Sequence, residues 1–130
     1  LPTNVATSLA WKQHADDGLN MIIFTGKIAG KKTRILFDTG SRFNELLHAS
    51  ELTPTSFVEL PCADIANGLT YKKVALCKNI PVEIADEHFK VDFNKETRDG
   101  SDYPRLNASF LMGKRWVLDY EHRQLLILPE

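Results

Sequence analysis

Thr33-Arg34-Ile35-Leu36-Phe37-Asp38-Thr39-Gly40-Ser41 is the stretch on which the reading of this chain turns. Ile35-Leu36-Phe37 is an apolar, strand-forming run, and it delivers a carboxylate into a turn that contains glycine. At average residue usage, Asp-Thr-Gly alone occurs by chance in roughly one chain of this length in several tens. The apolar run before it and the small hydroxyl residue after it make this occurrence more specific. An ordinary surface turn also uses Asp and Gly, so the remainder of the chain has to decide between the two readings.

Working outward, residues 19–29 are apolar and β-branched, which predicts a strand. Gly30-Lys31-Lys32 reads as a hairpin turn and residues 33–37 as a second strand. Residues 44–52 lack Gly and Pro and suit a short helix or a strand, closed by Pro54. Asn67-Gly68 is a strong hairpin signal, with arms over 57–65 and 70–77. Residues 79–84 and 88–93 alternate apolar and polar, as a half-buried antiparallel pair joined by Ala85-Asp86-Glu87. A charged loop over 94–105 leads to the apolar cluster Phe110-Leu111-Met112-Gly113. Lys114-Arg115-Trp116 then suits a short helix or tight turn. Strands over 117–120 and 124–128, joined by Glu121-His122-Arg123, close the chain. Many short strands with turns every eight to twelve residues predict an all-β barrel or sandwich.

The 130 residues are enough for one domain, and the 43% apolar share is enough for a core. Residues 1–18 read as an N-terminal arm that includes a short strand, and 19–130 as the domain proper. A formal charge of −1 gives no general pull toward nucleic acid, and no apolar run reaches membrane-spanning length. Lys31-Lys32 and Lys72-Lys73 read as turn and edge charges. The first residue is Leu1 rather than Met, so an expectation about targeting cannot be drawn from the start of the chain. Cys62 and Cys77 are either two buried thiols or a disulfide across the hairpin, the latter pointing to a periplasmic or secreted setting.

Three segments resemble the retropepsin-type aspartic peptidases. Residues 33–41 are similar to that family's apolar run into D-T-G-[AS]. Phe110-Leu111-Met112-Gly113 is similar to its hydrophobic-hydrophobic-Gly element, and residues 117–125 to the closing hairpin of many cellular relatives. With the Asn67-Gly68 hairpin as a flap, the likeness spans about 20–128. Ser41-Arg42, Leu47-His48-Ala49 and Met112-Gly113-Lys114-Arg115 also resemble a bacterial retropepsin-like subgroup associated with ATP-grasp ligases, given a one-residue insertion before His48.

The resemblance implies an all-β, closed or partly open acid-protease barrel with a flap hairpin and at most one or two short helices. It implies an aspartic endopeptidase in which two acids activate one water and share one proton, with an activity optimum in mildly acid solution. This chain supplies one such acid, so the implied enzyme is a homodimer with Asp38 from each copy. Thr39, Gly40 and Ser41 would support Asp38. Gly40 would permit a tight backbone, and Gly113 would let its strand pass under the catalytic loop. Asn67, Gly68, Leu69, Leu111 and Met112 would bind an extended peptide or protein substrate. The terminal strands near 1–9 and 124–128 would make the dimer sheet. No metal and no organic cofactor are needed.

Bulky Arg42 and Phe43 depart from the small or β-branched residues usual after this motif. They motivate an alternative, a non-catalytic domain that binds peptide or protein in the same groove. A metal-assisted hydrolase built on His48 with acidic neighbours is a third reading. His14, His48, His88 and His122 have no ligand spacing among themselves, and no G-x-S-x-G elbow supports a serine triad. Asp119 has the place of a structural or exposed residue in the closing hairpin. Asn107-Ala108-Ser109 matches a glycosylation acceptor, but it precedes a core segment.

Overall fold

The structure is a computed structural model that describes residues 5–11, 21–41, 43–47, 50–64, 66, 68–95 and 103–129, without the side chains at 62–64 and 72. The described elements in chain order are β1 (Thr7–Ala10), β2 (Ile22–Ile28), β3 (Lys31–Phe37), β4 (Glu45–Leu46), β5 (Ser56–Asp64) and β6 (Gly68–Ile84). They continue with β7 (Glu87–Lys95), β8 (Arg105–Leu106), the 3-10 turn η1 (Ala108–Leu111), β9 (Trp116–Asp119) and β10 (Gln124–Ile127).

The fold is an all-β barrel. Six strands close a ring in the order β2-β3-β8-β4-β7-β6, and β6 returns to β2. Two of the pairings are parallel, β3 with β8 (Leu36↔Arg105, Phe37↔Leu106) and β4 with β7 (Glu45↔Asn94, Leu46↔Lys95). Parallel neighbours need long crossovers, and here most of the chain lies between β3 and β8. The consequence for the site is direct: β8 arrives at the carboxyl end of β3, beside Asp38. Closure rests on Gly26↔Ile84, Lys27↔Glu83 and Ile28↔Val82. A Cβ added at Gly26 would overlap the Glu83 carbonyl oxygen and press on Ile84 Cγ1. Gly26 is therefore a close-approach glycine. Gly26→Ala is expected to lose about 2–3 kcal/mol in equilibrium urea unfolding, because backbone must move to admit the methyl group.

Alternation fills the barrel. Phe24, Ile35, Phe37, Val82, Ile84, Val91, Phe93 and Leu106 are buried inside it. An aromatic chain crosses the core: Trp11 meets Phe24 (6.1 Å between ring centroids), Phe24 meets Phe37 (6.1 Å), and Phe37 meets both Phe110 (5.8 Å) and Trp116 (6.0 Å). Most of these contacts are edge-to-face, the arrangement favoured by ring quadrupoles.

Several turns differ from the sequence reading. The β2–β3 turn is Ala29-Gly30, both at positive φ, so Lys31 and Lys32 belong to β3. Among the described residues of 44–52, only Glu45–Leu46 forms an element, a two-residue strand. The segments expected at 70–77 and 79–84 are one 17-residue strand, β6, carried past an irregularity between Cys77 and Ile80 by Asn79 at φ 54°. The helical turn precedes Lys114 rather than starting there. Asn107 caps it, Gly113 at φ 82° redirects the chain, and Trp116 already opens β9.

The expected disulfide is corrected as well. Cys77 is a free, buried thiol, and burial pushes its pKa up while Lys95 pulls it down less strongly. Cys62 pairs with Thr70 in the hairpin register, seven residues along β6 from Cys77. Seven residues of strand span roughly 23 Å, far beyond disulfide reach. The argument for an oxidising compartment goes with it.

The described part of the arm is built into the fold. β1 pairs with β10 (Thr7↔Ile127 to Ala10↔Gln124), and Leu9 and Trp11 enter the core. β10 lies between β1 and β9, so both of its edges are taken within one chain. A sheet between copies could use the outer edges of β1 or β9, not β10. The 18/19 boundary lies outside the described residues.

Candidate active site

Asp38 begins the loop that leaves β3. Its N–H donates to the Leu106 carbonyl (2.8 Å), which ties the loop to β8. Its Oδ1 accepts from the Gly40 N–H (3.0 Å), and its carbonyl accepts from the Ser41 N–H (3.1 Å). This is an Asx-type turn, in which an aspartate bonds the backbone two residues on. The Ser41 hydroxyl donates to the Phe43 carbonyl (2.8 Å) and extends the brace. Thr39 and Gly40 are exposed. A Cβ on Gly40 would meet only Asp38 Oδ1, at 3.4 Å, and its φ lies outside the left-handed region. The backbone therefore does not demand glycine there, contrary to the expectation of a tight turn.

The second carboxylate oxygen, Oδ2, faces the Arg105 guanidinium, with Nη1 at 3.6 Å. Both side chains are about one-third exposed, 37% for Asp38 and 34% for Arg105. Among the described residues the buried Arg105 Nε has no hydrogen-bond partner. Sequence reasoning missed Arg105, because its position next to the acid, 67 residues upstream, is set by the parallel β3–β8 pairing.

Asn44 was missed too. Its side-chain amide donates to the Asp92 carbonyl (3.2 Å) and Ser109 Oγ (3.1 Å), while its Oδ1 accepts from the Asn107 N–H (2.8 Å). Its carbonyl accepts from the Asn94 N–H (2.7 Å). One buried amide thus joins β7, the end of β8 and η1 behind the Asp38 loop. Asn107 in turn accepts from the Ser109 N–H (2.9 Å) as the cap of η1, so the glycosylation-like triplet has a structural use. A polar Asn two residues ahead of the apolar pair Leu46-Leu47 would not by itself reveal this network.

The other expected site residues are dispersed. Leu111 is buried in the core, whereas Met112 beside it is 81% exposed. Gly113 is exposed, and a Cβ there would meet nothing within 4 Å. Its role is the positive φ of the turn after η1, not close passage beneath a loop. The β5–β6 hairpin exists, with Gly68 at φ 72° opposite Asp64; Asn67 lies outside the described residues. Beyond Leu76 the arm is two-stranded, since β7 pairs with β6 only from Leu76 to Ile84. Leu69, Tyr71 and Phe57 share its exposed face, and Thr70 lies on the opposite face with buried Val74. Arg42 and His48 are outside the described residues; Phe43 is half-buried.

Asp119 is in the terminal sheet and has a structural use. His122 Nδ1 lies 2.8 Å from its Oδ2, and the His122 N–H donates to Oδ1 (3.2 Å). Burial pushes the Asp119 carboxyl up, but the His122 side-chain and backbone bonds, the His122 charge and a Glu121 backbone bond together outweigh it, and the net direction is down. The hydrogen bond that His122 donates to Asp119, then the Asp119 charge, raises His122. The raised histidine stabilises the fold fully below its ordinary 6.5 and loses that contribution as pH rises through its folded value. The lowered aspartate contributes above its ordinary 3.8 and loses it as pH falls. The pair is thus strongest between these limits. Thermal melts should show the wild-type advantage over His122→Ala shrinking as pH is raised from 6 to 8.

A cavity of about 390 Å³, lined by Ile28, Leu46, Leu52, Pro104, Lys31 and Lys32 among others, opens near the start of β3, at the other end of that strand from Asp38. Among the described residues no three or more His, Cys, Asp or Glu side chains gather as a metal site would need. No described helix is long and apolar enough to cross a membrane. No family model matches the chain, and no curated protein is significantly similar to it.

Proposed function

We propose that the protein is a retropepsin-like aspartic endopeptidase that works as a homodimer. The observation that carries this reading is the presentation of Asp38. It stands at the end of a core strand of a closed barrel, with its backbone tied to β8 and one oxygen fixed by the Gly40 N–H. The carboxylate is fixed on one oxygen by the Gly40 N–H, faces Arg105 across 3.6 Å on the other, and is still about one-third exposed, so it stays within reach of a water and a peptide. One acid cannot both take a proton from water and give one to the amide carbonyl, so a second Asp38 from a partner copy completes the pair. The ionised member is the general base for the water, and the protonated member donates to the carbonyl oxygen. The peptide lies extended beneath the β5–β6 arm. No metal or organic cofactor takes part.

A second reading has its own observation. Arg105 already faces Asp38 Oδ2, and the arm exposes Phe57, Leu69 and Tyr71, as a peptide- or protein-binding domain without catalysis would tolerate. Sedimentation with a pepstatin-type inhibitor separates the two. The peptidase sediments as a dimer and binds one inhibitor per two chains; a monomer that ignores the inhibitor favours the binding domain.

A further inference from the structure

We infer that Arg105 is a specificity-determining residue, one that recognises an acidic side chain near the scissile bond; the inference rests on the peptidase reading of Asp38. The Arg105–Asp38 contact is open. At 3.6 Å it exceeds the roughly 2.7–2.9 Å of a closed charge-assisted hydrogen bond. The guanidinium carries five N–H donors in a planar fork, and its Nη1 lies 3.6 Å from Asp38 Oδ2. The buried Nε has no partner among the described residues, so the head is anchored without being saturated. One-third of the side chain reaches solvent beside the acid on which the peptide would be cut.

The strand geometry holds the guanidinium there. β8 is parallel to β3, with Leu36 opposite Arg105 and Phe37 opposite Leu106, so Arg105 is carried by the strand that also receives the Asp38 N–H. Across β8 the neighbour is Glu45, directly opposite in register. Arg105 is thus fixed by a strand on each side, and the carboxylate its guanidinium faces is that of Asp38. A substrate carboxylate that takes the open edge of the fork gains a bidentate-capable partner and relieves Asp38 of its in-chain counter-ion. An amide gains less, and a substrate lysine meets a like charge.

The test begins with peptides from a digested proteome, incubated with the wild-type protein and read by mass spectrometry. Acidic residues should be enriched within two positions of the cut bonds. Synthetic peptides carrying Glu, Gln or Lys at the enriched position should then differ, with Glu about tenfold above Gln in kcat/KM. Arg105→Met should bring that ratio to about one, and Arg105→Glu should turn the preference toward Lys. Arg105→Lys should keep part of it. Circular dichroism identifies any variant that fails to fold, and the wild-type ratio decides alone in that case.

If Glu and Gln peptides are cut equally, or if Arg105→Met slows all peptides alike and keeps the ratio, Arg105 is only the counter-ion of Asp38 and the inference is overturned. The peptidase reading survives that result as long as Asp38→Asn is inactive. Should the wild type cut nothing, fluorescence anisotropy of the same labelled peptides still decides the matter. Tenfold tighter binding of the Glu peptide, lost in Arg105→Met, supports acid recognition; equal binding overturns it.

Discussion

Asp38→Asn abolishes peptide cleavage, by at least about a thousandfold, and leaves the barrel folded. The size of the loss follows from the chemistry: a carboxamide can neither take the water's proton nor hold the proton that the paired acids share. The survival of the fold follows from the geometry. Asparagine is nearly isosteric, and its carbonyl oxygen still accepts from the Gly40 N–H, so the Asx turn persists. The ion pair with Arg105 is lost, but both partners are about one-third exposed and such pairs contribute only about 0–1 kcal/mol. Cleavage of an unfolded protein substrate, measured beside a thermal melt, separates lost chemistry from lost structure. A folded Asp38→Asn protein that still cuts removes Asp38 from the mechanism.

Phe37→Ala is the largest expected change in stability. Phe37 is buried at the point where the aromatic chain branches, in contact with Phe24, Phe110 and Trp116. Removing the ring costs its transfer free energy and leaves a cavity bounded by three other rings, which cannot all collapse inward. The expected loss is about 3–5 kcal/mol. Against a typical total of about 5–15 kcal/mol, this leaves a marginal fold. Phe37→Leu keeps most of the volume and is expected to cost less than about 1.5 kcal/mol. Urea unfolding of both variants gives the comparison. If Phe37→Ala loses under 1 kcal/mol, the rings do not hold this part of the core. The residue also matters to the site, because it immediately precedes Asp38 and a cavity there loosens the loop.

What was legible in the sequence was local. Alternation gave β7, apolar segments on either side of Glu121-His122-Arg123 gave the β9–β10 pair, Asn-Gly gave the β5–β6 hairpin, and the run Ile35-Leu36-Phe37 placed Asp38 at a strand end. These depend on neighbours within a few residues. The illegible part was non-local. The two parallel pairings are made by two-residue strands, β4 and β8, too short to show any period. They nevertheless bring Arg105 to Asp38 and Asn107 to Asn44. Gly26 reads as a weak point within a strand until β6 is seen to cross it. Cys62 and Cys77 lie on arms of one predicted hairpin, yet register separates them, and register was not available from composition.

The proposed chemistry depends on one acid meeting its copy. The most direct test is a crystal structure of the protein with a pepstatin-type inhibitor, read for the separation of the two Asp38 carboxylates. The expected result is two copies related by a twofold axis, their Asp38 side chains about 3 Å apart around the inhibitor hydroxyl. An inhibitor-free single chain, or a pair whose Asp38 carboxylates lie on opposite faces with Arg105 still facing each, would contradict it.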